Sequence, residues 1–203
     1  MRHNLFVCLI AIAFPLVATA QDEKLPHLQE LAPEPGSRFY PNDLASTGAQ
    51  GAVLVRAITH ADGSLSDAVV LQSSRSRQLD DMAVAIVEAT TLKVHADKPL
   101  PPAIVAPVVF ERDTVFTLPG KTCREFNVDL AYARSLSSDA GAGDVRAYTL
   151  GTGLLAFMPG IPLDKQMAVV KQQKVLPPKV EAACAAAPEA LFMKTLSDLA
   201  LQK

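Results

Sequence analysis

The sequence has no tryptophan, only 5% aromatic residues, and just three cysteines and four histidines among 203 residues. His3, His27, His60 and His95 are scattered, without the short repeats that bring two imidazoles to one metal ion. No Cys-x-x-Cys occurs, so the usual redox motif is missing. Ser73, Ser74 and Ser76 lack the setting of a nucleophile elbow. Basic charge is not in excess: 19 Lys and Arg stand against 21 Asp and Glu, net −2, which gives nucleic acid no electrostatic footprint. No apolar run reaches the about 20 residues that a spanning helix requires. His60 and Asp62 lie at a strand end and turn with no third group beside them, and His95 and Asp97 lie in a proline-rich approach to a strand. Both pairs read as solvated. These absences leave no catalytic residues, no metal ligands and no cofactor motif. What remains is a chain with 49% apolar residues, enough for real cores in one or two small domains.

Residues 1–20 carry one basic side chain, Arg2, an apolar core from Leu5 to Val17, and the small-residue ending Ala18-Thr19-Ala20 before Gln21-Asp22-Glu23. The pattern predicts a cleaved secretory signal. Its rival is an uncleaved membrane anchor, for which the apolar core is short and interrupted by Pro15. Cys8 leaves with the signal. The remaining pair, Cys123 and Cys184, is most simply a disulfide in an exported protein. Residues 21–38 contain Pro26, Pro33, Pro35 and Gly36 without apolar periodicity and read as a linker or arm.

From Tyr40 to Asp113 the chain changes character. Val53, Val55, Ile58 and Thr59 are β-branched and favour an extended backbone, Asp62-Gly63 suits a tight turn, and Ala68 to Leu71 follows at hairpin distance. Leu79, Met82, Ala83, Ile86, Val87 and Thr90 then recur at helical spacing behind Ser76, a candidate cap, with Asp80 and Asp81 in the first turns. Ile104 to Phe110 is a last extended run. Pro41 opens a brief helix over 42–47 that Gly48 closes.

Tyr40-Pro41, Gly48, Gly51, Val53, Val55, Asp62-Gly63, Ser73-Ser74, Leu79-Asp80 and Phe110 carry a family likeness: residues 39–113 resemble the TonB C-terminal domain family. The resemblance implies a periplasmic, non-enzymatic α+β domain, a three-stranded antiparallel sheet packed on helices. It implies that the last strand presents an open edge to a short extended peptide from an outer-membrane transporter. In this chain that edge is Val105, Val108, Val109 and Phe110. A bare edge is also a template for a second copy of the chain, hence a homodimer. Two positions depart from the family pattern. Arg75 replaces the glycine that follows the paired serines, so the turn there either differs in backbone or carries strain, and Thr90 stands where an aromatic residue is common. Energy transducers of this family also have a membrane anchor and a long spacer, whereas residues 21–38 reach about 60 Å at full extension.

Residues 114–121, with Thr117-Leu-Pro-Gly-Lys121, read as a second linker. Residues 122–203 read as all helical. Phe126, Leu130 and Arg134 line a helix starting near Thr122, and Tyr148, Gly151, Leu154 and Leu155 a second. Met167, Val170 and Lys174 suggest a third, interrupted by Pro177-Pro178, and Val180 to Leu199 one or two more with Pro188 as the start of the last. The Cys123–Cys184 bridge is expected to staple this part. Thr122-Cys123-Arg-Glu-Phe126, the Pro178 to Cys184 stretch and Phe192 resemble HdeA-type periplasmic acid-stress proteins, from which the insertion 137–144 departs. That second resemblance implies a chaperone activated by acid.

Overall fold

The computed structural model describes residues 26, 28–35 and 37–201. The signal-peptide reading of residues 1–20 lies outside them. The described chain is α+β, with two hydrophobic cores.

The first core is built on strands β1 (Gly51–Thr59), β2 (Leu65–Gln72) and β3 (Ala103–Phe110), ordered β2-β1-β3 and antiparallel throughout. Alternation along β1 sends Val53, Val55 and Ala57 to one face, opposite Val108, Ala106 and Ile104 of β3. On that face lies α2 (Arg77–Glu88), which inserts Leu79, Ala83, Ile86 and Val87. Ser76 caps the helix as expected, its hydroxyl accepting from the Leu79 N–H at 3.5 Å. A short helix α1 (Asn42–Ser46) follows Pro41.

The hairpin turn uses Gly63 at φ +86. The Leu92 N–H donates to the Gly63 carbonyl at 2.8 Å, and a Cβ on Gly63 would lie 2.2 Å from the Leu92 carbonyl oxygen. Both conformation and space restrict this position to glycine. Arg75 sits at φ +70, so of the two alternatives the turn keeps a left-handed backbone and carries the strain.

The second core belongs to helices α3 (Cys123–Leu136), α4 (Arg146–Phe157), α5 (Leu163–Lys171), α6 (Leu176–Ala186) and α7 (Phe192–Leu201). Thr122 and Glu125 form a capping box at the head of α3: Thr122 N–H donates to Glu125 Oε2 at 2.7 Å, and Glu125 N–H donates to Thr122 Oγ1 at 3.2 Å. Phe126 and Phe192 stack at 4.7 Å between centroids. Cys123 and Cys184 are disulfide-bonded, joining α3 to α6.

Two proline readings change. Pro177 and Pro178 lie in the first turn of α6, where a missing N–H costs nothing, so they open a helix rather than merely breaking one. Pro188 does not begin the last helix. Its carbonyl accepts the Arg124 N–H at 2.7 Å and the Ala190 carbonyl accepts the Cys123 N–H at 2.8 Å, so this loop satisfies orphan donors at the head of α3.

Candidate functional site

In β3 the even-numbered residues turn their main-chain groups to β1 or their side chains to the core, and the odd-numbered ones face the other way. Val108 and Phe110 are fully buried, Phe110 meeting Tyr40 edge-on at 5.5 Å. The Tyr40 hydroxyl donates to the Ala49 carbonyl, and burial pushes its pKa up to about 12. These side chains hold the strand flat from beneath. Eight consecutive residues of β3 pair with β1 without a register shift.

The outward main-chain groups of β3 belong to Val105, Pro107 and Val109, and they are already in use. Val105 N–H donates to the Pro26 carbonyl at 2.9 Å, and Leu28 N–H to the Val105 carbonyl at 2.8 Å. Leu31 N–H donates to the Pro107 carbonyl at 2.9 Å, and Val109 N–H to the Leu31 carbonyl at 2.8 Å. Both chains ascend together, and Leu31 is bridged to Val108 in parallel. Residues within the expected linker 21–38 thus lie along β3 as an extended segment with one isolated bridge, outside the three-stranded sheet. The expectation of an open edge is corrected on this point: the edge is covered by the protein's own N-terminal arm. Leu28 and Leu31 anchor it by packing against the sheet core, whereas Gln29 and Glu30 are exposed.

Of the four residues expected at the docking edge, Val105 and Val109 direct main-chain groups outward. Val108 and Phe110 spend their side chains on the core. The arm was not legible as an extended segment because it has no alternation. Its one signal is Leu28-x-x-Leu31, a pair of aliphatic residues in an otherwise polar, proline-rich stretch.

The sheet with its helix and edge has the likeness the motifs implied. Residues 37–111 match the family model of the Gram-negative bacterial TonB protein C-terminal. No curated protein and no solved structure matches the chain. The match supports a TonB-like protein-interaction role for this TonB C-terminal-like unit, and proteins of the TonB family act in the periplasm. Among the described residues no helix is long and apolar enough to cross a membrane, and no group of His, Cys, Asp and Glu is placed to hold a metal ion.

The unit meets the helical half through buried charge. Lys121 Nζ lies 2.7 Å from Asp113 Oδ1 and 2.7 Å from Asp129 Oδ2, and Arg112 Nη1 lies 3.1 Å from Asp129 Oδ1. Asp113, Lys121 and Asp129 are all buried. Gly48, at φ +79, lets the end of α1 approach α3 at this seam: a Cβ there would lie 3.0 Å from the Asp129 Cα. Desolvation pushes the Asp129 carboxyl up to about 6, against the lowering pull of Lys121 and Arg112. Arg146 adds a contact across the same seam, 2.5 Å from Glu111. Residues 114–121, expected to be only a linker, contribute buried Leu118 to the helical core and Lys121 to the seam. Sequence reasoning missed this cluster because its members are spaced irregularly and none belongs to a motif.

His60 and His95 are exposed. His60 Nε2 lies 2.8 Å from Ser66 Oγ in the hairpin, a contact between neighbouring strands at the surface rather than a buried catalytic pair. Ser73 and Ser74 donate their hydroxyls to Asp80 at 2.6 and 2.8 Å, which ties the Arg75 turn to the head of α2 and lowers the Asp80 pKa.

Proposed function

We propose that this is a non-enzymatic periplasmic binding protein that takes an extended segment of a protein partner onto β3 by strand addition, the segment being of the kind carried by outer-membrane TonB-dependent transporters. One observation carries the reading: β3 already holds an extended segment there, through four main-chain hydrogen bonds. An edge that pairs with an extended segment through main-chain groups supports recognition by strand addition, and the TonB C-terminal match supports a protein partner.

Each main-chain hydrogen bond nets about 1 kcal/mol, so a segment making five or six of them gains about 5–6 kcal/mol, a dissociation constant of roughly 0.1 mM before ordering costs. Fluorescence anisotropy with transporter-derived peptides tests this. In a chain whose Leu28 and Leu31 are both changed to Asp so that the arm does not compete, Val109→Pro removes an outward N–H at a position where proline leaves the β1 ladder intact, as Pro107 does, and should weaken binding about ten-fold. Binding that ignores this substitution, or no binding at millimolar peptide, would refute the proposal.

A second reading, an acid-stress chaperone working through the helical half, is favoured by exposed Phe157, Leu163, Met167 and Val170 along α4 and α5. It predicts suppression of client aggregation and more dye-accessible apolar surface below about pH 4. Unchanged behaviour across that range removes it. A third, a membrane-anchored energy transducer, depends on residues outside those described. Sequencing the mature N-terminus decides it: Gln21 first would end that reading.

A further inference from the structure

A parallel ladder advances residue for residue, each strand offering N–H and carbonyl in turn. The arm does not keep step. From Leu28 to Leu31 it advances three residues while its acceptors on β3 advance two, from Val105 to Pro107. The extra residue falls in the exposed Gln29-Glu30 stretch, opposite Pro107. Pro107 has no N–H, so an incoming strand meets no donor there and is free to bulge outward. On either side of the bulge, Leu28 and Leu31 turn back to pack against the sheet core. Past Leu31 the chain reaches a turn, with Ser37 N–H donating to the Glu34 carbonyl at 3.1 Å, and enters the core at Tyr40. The tether is short, so the arm is held at high effective concentration beside its own groove.

We infer that Pro26 to Leu31 is a resident ligand of the β3 edge: it spells out the segment the edge accepts and sets the threshold a partner must exceed. The inference rests on the strand-addition reading and adds partner chemistry and regulation to it. The accepted segment runs parallel to β3, carries two aliphatic side chains with two polar residues between them, and makes its bulge at Pro107. A partner binds only to the fraction of molecules whose arm has left, so its apparent dissociation constant is the intrinsic one divided by that fraction. The arm of a second copy satisfies the same description, which makes arm exchange the natural route to a dimer.

The test uses the full chain and a labelled synthetic peptide with the sequence of residues 26–32. Leu28→Asp combined with Leu31→Asp puts carboxylates where the arm meets the core and should release it. The double variant should bind the peptide at least ten-fold more tightly than the unaltered chain, a difference of about 1.4 kcal/mol. Leu31→Pro removes one donor without adding charge and should fall between them. Amide exchange at Val105 and Val109 should be slow in the unaltered chain and fast in the double variant. Equal peptide binding by all three proteins, or binding by none, overturns the inference. A transporter-derived peptide separates the two levels of the argument. If it binds the unaltered and double-variant chains equally, the arm is no regulator and strand addition survives; if it binds neither, both fall.

Discussion

In the helical half, Cys123 of α3 is bonded covalently to Cys184 of α6, across a sequence separation of 61. In the sheet half, the arm is joined to β3 by four main-chain hydrogen bonds and two leucines. Both closures tie a segment to a distant partner and both shrink the freedom of the open chain. They differ in reversibility. A buried disulfide stays closed in an oxidising compartment, whereas a segment held by a few hydrogen bonds opens and recloses on its own. The reversible closure lies on the edge strand that pairs with β1 without a register shift. At the opposite edge, β2 has two register shifts against β1 and Asp67 at φ +50, irregularities that spoil a template. The molecule thus blocks one edge by shape and the other by an occupant, and only an occupant can be exchanged.

The comparison breaks most visibly at the disulfide. Cys184→Ser frees a loop whose closure is worth about 4 kcal/mol in the chain-entropy model. Amides of α3, α6 and α7 should lose exchange protection together, while those of β1 stay protected. Protection lost equally in both halves would mean that the two cores fold as one unit. Next comes the seam. Lys121→Met leaves Asp113 and Asp129 buried without their shared cation and should cost about 3 kcal/mol, read as a lower urea midpoint at pH 7. A shift under about 0.5 kcal/mol, the scale of surface substitutions, would show the cluster to be solvated.

The same seam carries a pH dependence of definite sign. Asp129 has a folded pKa of about 6, above the carboxylate value of about 3.9 expected when unfolded. Between those values the folded chain holds a proton that the unfolded chain has released. The stabilisation from this group is complete below the lower value and is lost as pH rises through 6. Asp113, Lys121, Arg112 and Tyr40 face it, and Tyr132 lies near. The urea midpoint should therefore rise as pH falls from 7 to 5, and Asp129→Asn should flatten that rise. On this group alone acid favours the folded state, by relieving the desolvated Asp129 charge, so a chaperone activated by acid would need its trigger elsewhere.

Much of the sheet half was legible because its elements are local and periodic. Alternation marked β1 and β3, Ser76 marked the start of α2, and Asp62-Gly63 marked the turn. In the helical half, Thr122 and the apolar spacing located α3, and the two cysteines left once Cys8 is assigned to the signal gave the pairing. What the sequence concealed depends on partners far along the chain. Leu28 and Leu31 look like linker residues until β3 is beside them. Lys121 looks like a surface lysine until Asp113 and Asp129 close over it. A buried ion cluster and an arm paired along an edge are both made by tertiary neighbours, and neither leaves a repeat to read.

The smallest effect expected is at Arg75, where the residue departs from its family pattern and the backbone departs from the usual regions. A left-handed φ of +70 brings the side chain's Cβ against its own main chain, at about 1–2 kcal/mol for a residue other than glycine. Among the described residues no side-chain hydrogen bond of Arg75 offsets this, although Asp139 is close enough to feel its charge. The turn is held instead by Ser73 Oγ, which accepts the Arg75 N–H at 2.9 Å, and by Asp80, which accepts from both serines. Arg75→Gly keeps these bonds and removes the clash, but it also frees the unfolded chain, which returns part of the gain. The net expectation is a stabilisation of about 0.5–1 kcal/mol, seen as a small rise in the urea midpoint with peptide binding at β3 unchanged. A loss of stability would instead assign Arg75 a structural contact across to Asp139, and the two halves would then be joined at a second place beside the buried seam.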